Sequence, residues 1–370
     1  MRKLGIIGAS YLQLPLIEKA KEMGFETHVF AWAAGDVGEE AADHFYPISI
    51  TEVEAIAEKC REIGVCGVCS IATDLGNYTV NYVAHQLGLS GNSMEATRRS
   101  TNKHLMRQAF AQGGDPSPRS LLVDEGTDFA ALELTYPIIV KPTDRSGSRG
   151  IYKLNSPEGL AEKAREAMAA GFEKKALIEE YAEGQEYSLE GISFRGEHHI
   201  LAMTLKHTTG APSFIETGHR QPAPVSPDTF TQAMRVVTHA LDTLGIMDSA
   251  SHSEIKIDAA GNIKIIEIGS RMGGDAIGSH LVPCSTGIDY VGAVIQVACG
   301  QRPDLTPRGK GFPAEVRYIL TEADLREFRR IQREDPARIL EILDAPHPDR
   351  MGKTTNSADR AGCYLVRVKD

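Results

Sequence analysis

The stretch SEIKIDAAGNIKIIEIGSRMGGD, residues 253–275, predicts a β-hairpin followed by a glycine-rich turn. If Asp258 pairs with Ile263 across the loop AAGN, Glu254 lies directly opposite Glu267. Directly opposed strand residues have Cβ atoms roughly 5 Å apart, and like charges destabilise that arrangement. The inference depends on register, because a slip of one residue would separate the two carboxylates. Either both glutamates are solvated on an edge hairpin, or they share a cation such as Mg²⁺, which takes carboxylate ligands.

A second stretch, VKPTDRSGSRGI at 140–151, joins an apolar strand to a basic loop. The strand ends in Lys141, and the loop contributes the small residues Ser146, Gly147, Ser148 and Gly150. Such a loop is either a solvated turn or a phosphate cradle, in which glycine exposes backbone N–H groups to an anion. Because Arg271 also follows Glu267 by four residues, the combination indicates nucleoside triphosphate chemistry.

Several common nucleotide-binding signatures are missing from the sequence. It contains no GxxxxGK[ST] motif of a P-loop and no HRD and DFG set of a protein kinase. The stretch GIIGAS at 5–10 lacks the GxGxxG spacing of a dinucleotide-binding fold. Cys66 and Cys69 have no second pair with which to form a metal site, so we interpret both as buried thiols.

Composition narrows the class of protein further. The chain has 370 residues, of which 42% are hydrophobic, so two or three domains with substantial cores are expected. A net charge of −10 argues against sequence-independent nucleic-acid binding. No apolar run approaches the roughly 20 residues of a membrane span, and the start MRKLGIIGAS predicts a first strand. We expect a reduced, soluble, cytoplasmic protein without nucleic-acid or membrane partners.

The secondary-structure pattern predicts a mixed α/β and α+β chain in three parts. Over residues 1–97 strands alternate with helices, which indicates a parallel sheet in an N-terminal α/β domain. Residues 98–305 carry the basic loop, the hairpin and a helix for which Ser156 is the predicted N-cap. Residues 306–370 form a small C-terminal α+β extension.

Taken in order, these motifs resemble those of the ATP-grasp superfamily, and most closely its carboxylate–amine ligase branch, which includes L-amino acid ligases and carbamoyl-phosphate-synthase-like proteins. The resemblance implies an ATP-grasp fold of two α+β subdomains over 98–305, with a hinge near 180–186. It implies ATP and Mg²⁺ as cofactors, with Mn²⁺ as an alternative metal. It also implies that the loop at 140–151 orders when ATP binds and then excludes water.

The resemblance assigns a role to each motif. The residues matching its nucleotide site are Lys103 in TNKHL, Lys141, the four small loop residues, Glu179, Tyr181 and Ala182 at the adenine hinge, and Glu186 at the ribose. Those matching its metal and catalytic positions are Glu254, Glu267, Arg271 and Lys206 in TLKH. In the family, the arginine faces the transferred phosphoryl group and the substrate carboxylate.

One position departs from the family pattern. The family often reads EINPR, where the asparagine helps to bind a second metal, but this chain reads EIGSR with Gly269 at that position. Whether one or two Mg²⁺ ions bind is therefore open.

Substrate contacts are predicted less directly. The stretch FIETGHRQPAP at 214–224 is either a substrate loop or an ordered polar loop, and its candidate residues are Glu216, His219 and Arg220. His252 either faces the substrate or makes a structural hydrogen bond. Gly273 and Gly274 would let a substrate approach the backbone closely.

The implied reaction joins a small carboxylate, amino-acid-like in character, to an amine. ATP phosphorylates the carboxylate, and the amine then displaces phosphate from the acyl phosphate. Two alternatives stay open: a bicarbonate-dependent carboxylase or carbamoyl-phosphate-type enzyme, and a non-catalytic ATP-binding regulator. The sequence identifies neither substrate, and it leaves open whether the chain forms a homodimer.

Overall fold

The computed structural model describes residues 1–145, 147, 149–211, 214–352 and 359–369. Within this part of the chain, the strands form three sheets. The predicted loop residues Ser146 and Ser148 lie outside the described residues.

The first sheet is parallel and has the strand order β3-β2-β1-β4. Its strands are β1 (Arg2–Ile7), β2 (Phe25–Phe30), β3 (His44–Tyr46) and β4 (Val68–Cys69). The helices around it are α1 (Leu14–Glu22), α2 (Val37–Ala41), α3 (Val53–Ile63) and α4 (Asp74–Leu87). The predicted alternation of strand and helix is confirmed, because each apolar strand needs a helix to cover its faces.

A second sheet carries the strand that ends at the basic loop. Its order is β5-β8-β6-β7. The strands are β5 (Ser120–Val123), β6 (Ile138–Pro142), β7 (Tyr152–Leu154) and β8 (Ala176–Glu180). The nearby helices are α5 (Met94–Thr101), α6 (Lys103–Gly113) and α7 (Leu160–Ala170).

The predicted start of α7 is wrong. Ser156 is not its N-cap, because the helix begins at Leu160 after Gly159, which has a φ of 77°. The N–H of Leu160 instead donates to the carbonyl of Pro157 and closes a turn. The left-handed glycine separates the serine from the helix.

The third sheet is antiparallel and has the order β13-β12-β9-β10-β11-β14-β16-β15. Its strands are β9 (Gln185–Phe194), β10 (Glu197–Thr208), β11 (Glu216–Gln221), β12 (Ser249–Ile257), β13 (Ile263–Gly269), β14 (Ala314–Tyr318), β15 (Ile339–Asp344) and β16 (Cys363–Arg367). The helices that follow in the chain are α8 (Pro227–Leu244), α9 (Val282–Thr286), α10 (Tyr290–Ala298) and α11 (Glu322–Glu334). The C-terminal strands thus extend the sheet that holds the predicted hairpin.

The hairpin of β12 and β13 brings the two glutamates together. Glu254 pairs directly with Glu267, as predicted. The register next to the loop is one residue different from the prediction, because Ile257 rather than Asp258 pairs with Ile263. A bulge after Glu254 compensates for this difference and restores the opposition of the two carboxylates.

The apolar core joins the first sheet to the third. One cluster of buried side chains includes Leu4 and Val29 from the parallel sheet, Ile192 from β9 and Ile295 from α10. Helix α10 therefore packs between the first sheet and the third.

Among the described helices, none is by itself long and apolar enough to cross a membrane. The segments Ile277–Thr286 and Tyr290–Ala298 reach that length only as a pair, which is bent by 119°.

Candidate active site

A cavity of about 330 Å³ is lined by residues from all three sheets and their loops. Most of the predicted site residues line it: Lys103, Lys141, Gly147, Glu179, Tyr181, Ala182, Glu186, Lys206, Glu216, His219, His252, Glu254, Glu267, Arg271 and Gly274. Three other predicted residues are not among those that line it: Gly150, Arg220 and Gly273. Arg220 follows His219 on β11, so its side chain points to the opposite face of the strand.

Two lysines neutralise the opposed glutamates. The Nζ of Lys103, at the start of α6, donates to Oε1 of Glu267 at 2.8 Å. The Nζ of Lys206, on β10, forms a short ion pair with Glu254 and lies 3.3 Å from Oε1 of Glu186. Burial opposes the charge on Lys206, but the surrounding carboxylates raise its pKa well above the usual value. The lysine charges are therefore retained despite burial.

The two opposed glutamates of the hairpin are suited to bind a divalent cation. Glu254 and Glu267 are each 23% exposed at the side chain and both line the cavity. Burial alone would raise the pKa of Glu254, yet Lys206 and His252 hold it well below its usual range. Both carboxylates already accept a cationic partner, and oxygen donors suit Mg²⁺. The donor set therefore fits a magnesium ion.

A second buried ion pair fixes Lys141 at the end of β6. Its Nζ lies 2.6 Å from Oε2 of Glu179, and the Nε of Arg107 lies 2.8 Å from the other carboxylate oxygen. Burial and the nearby cations lower the pKa of Lys141, because they outweigh the attraction of Glu179. The resemblance places Glu179 at the adenine hinge, and this assignment stays a prediction; in the structure its carboxylate contacts Lys141 and Arg107.

The hinge segment between β8 and β9 has a cationic surface over its aromatic ring. Lys153 Nζ lies 3.7 Å from the ring centroid of Tyr181, and Lys256 Nζ lies 5.0 Å from it. Ala182 is buried beside this ring, and Glu186 follows on β9 next to Lys206. The segment therefore presents an aromatic ring flanked by two lysine ammonium groups, with the carboxylate of Glu186 nearby on β9.

Arg271 is held by a residue that the sequence analysis did not identify. Its Nε donates to Oδ1 of Asp74 at 2.7 Å, and Asp74 is the first residue of α4. The charge of Asp74 raises the pKa of the arginine further above its usual range, against the opposing effect of burial. A Cβ on Gly269 would lie 3.3 Å from Oδ1 of Asp74 and 3.4 Å from Cζ of Arg271. The Asp74–Arg271 ion pair therefore occupies the space that a side chain at position 269 would need. This position is the one at which the chain departs from the family pattern.

His252 lines the cavity and also makes a structural hydrogen bond. Its Nδ1 lies 2.6 Å from Oε1 of the fully buried Glu190, and its Nε2 lies 3.4 Å from Oε1 of Glu254. Burial opposes protonation, but Glu190 raises the pKa of His252 to about 9. A Cβ on Gly273 would come within 2.6 Å of Nδ1. Gly273 therefore serves the packing of this pair.

The C-terminal segment contributes an arginine beside the cavity. Arg360 donates to Oε2 of Glu216 at 2.9 Å and to Oδ2 of Asp275 at 3.0 Å, and it stacks on the ring of Tyr318. His219 Nε2 lies 3.7 Å from Oδ2 of Asp275. Burial alone would raise the pKa of Asp275, but His219 and Arg360 hold it well below its usual range. Glu216 and His219 were singled out from the sequence, but no local signal links Arg360 to them, because it lies far from both along the chain.

Three non-glycine residues that line the cavity have positive φ angles. Ala72 has a φ of 62°, Phe214 of 49° and Asp275 of 53°. Such conformations are unfavourable for residues with a side chain and concentrate at functional sites. The N–H of Ala72 donates to the carbonyl of Met272, which ties the first sheet to the turn after the hairpin.

Comparison with known proteins agrees with this geometry. Residues 134–279 match the sequence model of the ATP-grasp domain. The alanine–anticapsin ligase of Bacillus subtilis is 28% identical over 297 residues, which cover 72% of this chain and 61% of that protein. The chain spans about 60% of the length of such curated relatives.

Solved structures show the same fold over the whole chain. The L-amino acid ligase from Bacillus licheniformis superimposes with a TM-score of 0.81 at 22% identity, covering 99% of this chain and 93% of that one. Phosphoribosylglycinamide synthetase from Anaerococcus prevotii gives a TM-score of 0.78 at 22% identity, covering 100% and 94%. Together with the domain match, these similarities show that the chain carries an ATP-grasp domain and adopts the fold of the ATP-grasp ligases.

Proposed function

We propose that this protein is an ATP-dependent carboxylate–amine ligase. The observation that carries the proposal is the pairing of Glu254 with Lys206 and of Glu267 with Lys103 across one cavity. Two carboxylates suit a divalent cation, and the lysines beside them suit the phosphates of a nucleotide. Carboxylates for a metal and lysines for phosphates, side by side in one cavity, are expected of a site that binds a metal–triphosphate complex.

The other cavity residues complete the proposed site. Tyr181 and Ala182 would form the wall against which adenine lies, and Glu186 would accept hydrogen bonds from the ribose. Lys141, fixed by Glu179, would meet the phosphate chain. Glu254 and Glu267 would hold Mg²⁺, which when bound supplies positive charge to the phosphate oxygens.

The proposed reaction proceeds by two displacements. An oxygen of the substrate carboxylate attacks the γ-phosphorus, the bond to the β-γ bridging oxygen breaks, and ADP leaves. The amine nitrogen then attacks the carbonyl carbon of the acyl phosphate, inorganic phosphate leaves, and the nitrogen loses a proton. Arg271 would neutralise charge where the carboxylate meets the γ-phosphate, because its fork suits both groups. The rate enhancement would come chiefly from positioning and charge neutralisation.

The relatives support an amino-acid-like acid as substrate. The names of the alanine–anticapsin ligase and of the L-amino acid ligase both refer to amino acids. Glu216 lines the cavity and Arg360 pairs with it, and we assign this pair to the ammonium and carboxylate groups of such a zwitterion.

A substrate screen tests the proposal. Pairs of amino acids are incubated with ATP and Mg²⁺, with Mn²⁺ in parallel, and phosphate release is compared with that of single amino acids. Release that requires both an acid and an amine, with a dipeptide detected by mass spectrometry, is the expected result. ATP hydrolysis that requires bicarbonate would instead indicate the carboxylase class. Tight ATP binding without turnover across the screen would favour a regulator.

A further inference from the structure

Two histidines and a glutamate form a cluster on the parallel sheet, and none of the three is among the residues that line the cavity. Glu26 and His28 are two residues apart on β2, so their side chains share one face of the sheet. His44 on β3 is the register partner of His28. Oε1 of Glu26 lies 3.2 Å from Nε2 of His28 and 3.0 Å from Nε2 of His44.

We propose that this cluster binds a divalent transition-metal ion, with Zn²⁺ as the occupant. Two imidazole nitrogens and one carboxylate oxygen form a donor set typical of zinc, whereas Mg²⁺ takes oxygen ligands. Zn–N and Zn–O bonds of about 2.0–2.1 Å place neighbouring tetrahedral ligands roughly 3.3 Å apart. The two measured separations are close to that value, and all three donor atoms lie within 4.8 Å of one another.

His28 provides further support, because its buried Nε2 faces Oε1 of Glu26 at 3.2 Å without hydrogen-bond geometry. The residue is 3% exposed, and among the described residues its Nε2 has no partner with hydrogen-bond geometry. Its Nδ1 lies 3.1 Å from the hydroxyl of Tyr46. If Nδ1–H donates to that hydroxyl, the lone pair of Nε2 points into the cluster, as in metal sites where a second partner fixes the tautomer. A bound ion would satisfy the buried nitrogen.

The arrangement of the two histidine rings also suits a shared ion. The two rings stack with their centroids 4.7 Å apart. The side chain of His44 is 50% exposed, and its Nε2 already faces Oε1 of Glu26 at 3.0 Å. Protein ligands from both strands would then surround one cation, with water completing the coordination.

The position of the site indicates a structural role. Strand β3 has three residues and lies at the edge of its sheet, paired with β2. Short edge strands contribute few hydrogen bonds, so a metal that bridges β2 and β3 would hold the edge in place. Binding to the folded state alone raises its stability. We therefore expect Zn²⁺ to raise the thermal midpoint of the protein without a requirement for ATP.

The test uses the full chain after treatment with a chelator and dialysis. Zn²⁺ is titrated calorimetrically, the thermal midpoint is measured with and without Zn²⁺, and Co²⁺ is added as a spectroscopic probe. The wild type should bind one Zn²⁺ with a rise of several degrees, and Co²⁺ should give visible absorption of a low-coordinate nitrogen site. Mg²⁺ should produce no change that depends on His44.

The decisive variant is His44→Gln, because the half-exposed side chain can be replaced with little risk to folding. It should weaken Zn²⁺ binding at least tenfold and abolish both the midpoint rise and the Co²⁺ signal. His85→Gln, on the exposed side of α4, is the matched control and should behave as wild type. Glu26→Gln removes a second proposed Zn²⁺ ligand and should weaken Zn²⁺ binding as well. Absence of Zn²⁺ binding in the wild type, or equal binding in wild type and His44→Gln, would overturn the proposal.

Discussion

The pairing of Arg271 with Asp74 leads to a sharp test of the proposed mechanism. If Arg271 acts where the carboxylate meets the γ-phosphate, the residue that orients it should affect turnover more than ATP binding. Asp74→Asn keeps the shape of the side chain but removes the charge that faces Nε of Arg271 at 2.7 Å. Asp74 is the first residue of α4, a helix that packs on the first sheet. It therefore lies outside the strands that are proposed to hold the nucleotide.

The size of the effect follows from the type of contact. Hydrogen bonds to charged groups contribute about 1.5–3 kcal/mol, and each 1.4 kcal/mol corresponds to a tenfold change in rate. We therefore expect Asp74→Asn to lower turnover at saturating ATP about 10- to 100-fold. Arg271→Lys, which keeps the charge but loses the fork, should lower it by about 100-fold or more. Because the aspartate acts through the arginine, the double variant should be little worse than Arg271→Lys alone.

The assay separates binding from chemistry. ATP affinity is measured calorimetrically in Mg²⁺, and phosphate release is measured with the acid and amine found in the screen. Both variants should keep ATP affinity within a few-fold of wild type, and the exposed Asp228→Asn should leave both quantities unchanged. Loss of ATP affinity with normal turnover at saturating ATP would refute the reasoning, since it would place Arg271 on the nucleotide side of the site.

Three further perturbations test other parts of the site. Lys141→Ala and Glu267→Ala should each abolish ATP turnover while circular dichroism stays unchanged; wild-type turnover in either would contradict the nucleotide assignment. Gly269→Asn should slow phosphate release at least several-fold, because its Cβ would lie only 3.3 Å from Oδ1 of Asp74 and the Asp74–Arg271 pair would have to shift; unchanged kinetics would show that the ion pair accommodates a side chain there. The folded-state pKa of Asp275 is depressed, so its stabilising contribution persists above the unfolded pKa of about 4 and is lost as pH falls. The difference in urea midpoint between wild type and Asp275→Asn should be constant from about pH 5 to 8 and shrink below about pH 4; a difference that disappears near neutral pH would argue against this ion pair.

Local pattern predicted the hairpin but not all of its register. The assumed register across the loop AAGN placed Glu254 opposite Glu267, and this pairing is confirmed. The assumed pairing of Asp258 with Ile263 is wrong, because the N–H of Asp258 donates to the carbonyl of Asn262 and closes a tighter turn. The bulge residue Ile266 has its carbonyl taken by Arg107, at 2.6 Å. A contact from a distant helix therefore stabilises the irregularity, and it leaves no trace in the hairpin sequence.

Distant contacts also explain which site residues the sequence missed. Motif resemblance identified the strand-end lysines and the hairpin carboxylates, because their spacing depends on local structure. Asp74 reaches the cavity only through the packing of the first sheet against the third, and Arg360 lies beside it only because the C-terminal strands extend the third sheet. Each meets a partner more than 80 residues away in sequence. Neither hydrophobic periodicity nor a short motif indicates a pairing between such distant residues. These contacts could therefore be found only from the tertiary structure.

The charge pairs in the cavity have a consequence for how nucleotide and metal would bind. Lys103 and Lys206 neutralise the two carboxylates that are proposed to hold Mg²⁺. A phosphate chain alone would have to take the lysines from Glu254 and Glu267, and a metal alone would have to displace the lysines from those carboxylates. Either exchange would leave buried charges without partners, which is costly. If metal and triphosphate arrived together, each lysine would exchange a carboxylate for a phosphate and each carboxylate would exchange a lysine for the metal. All four side chains would then keep an oppositely charged partner throughout. We therefore expect metal and nucleotide to bind cooperatively at these two lysines and two glutamates.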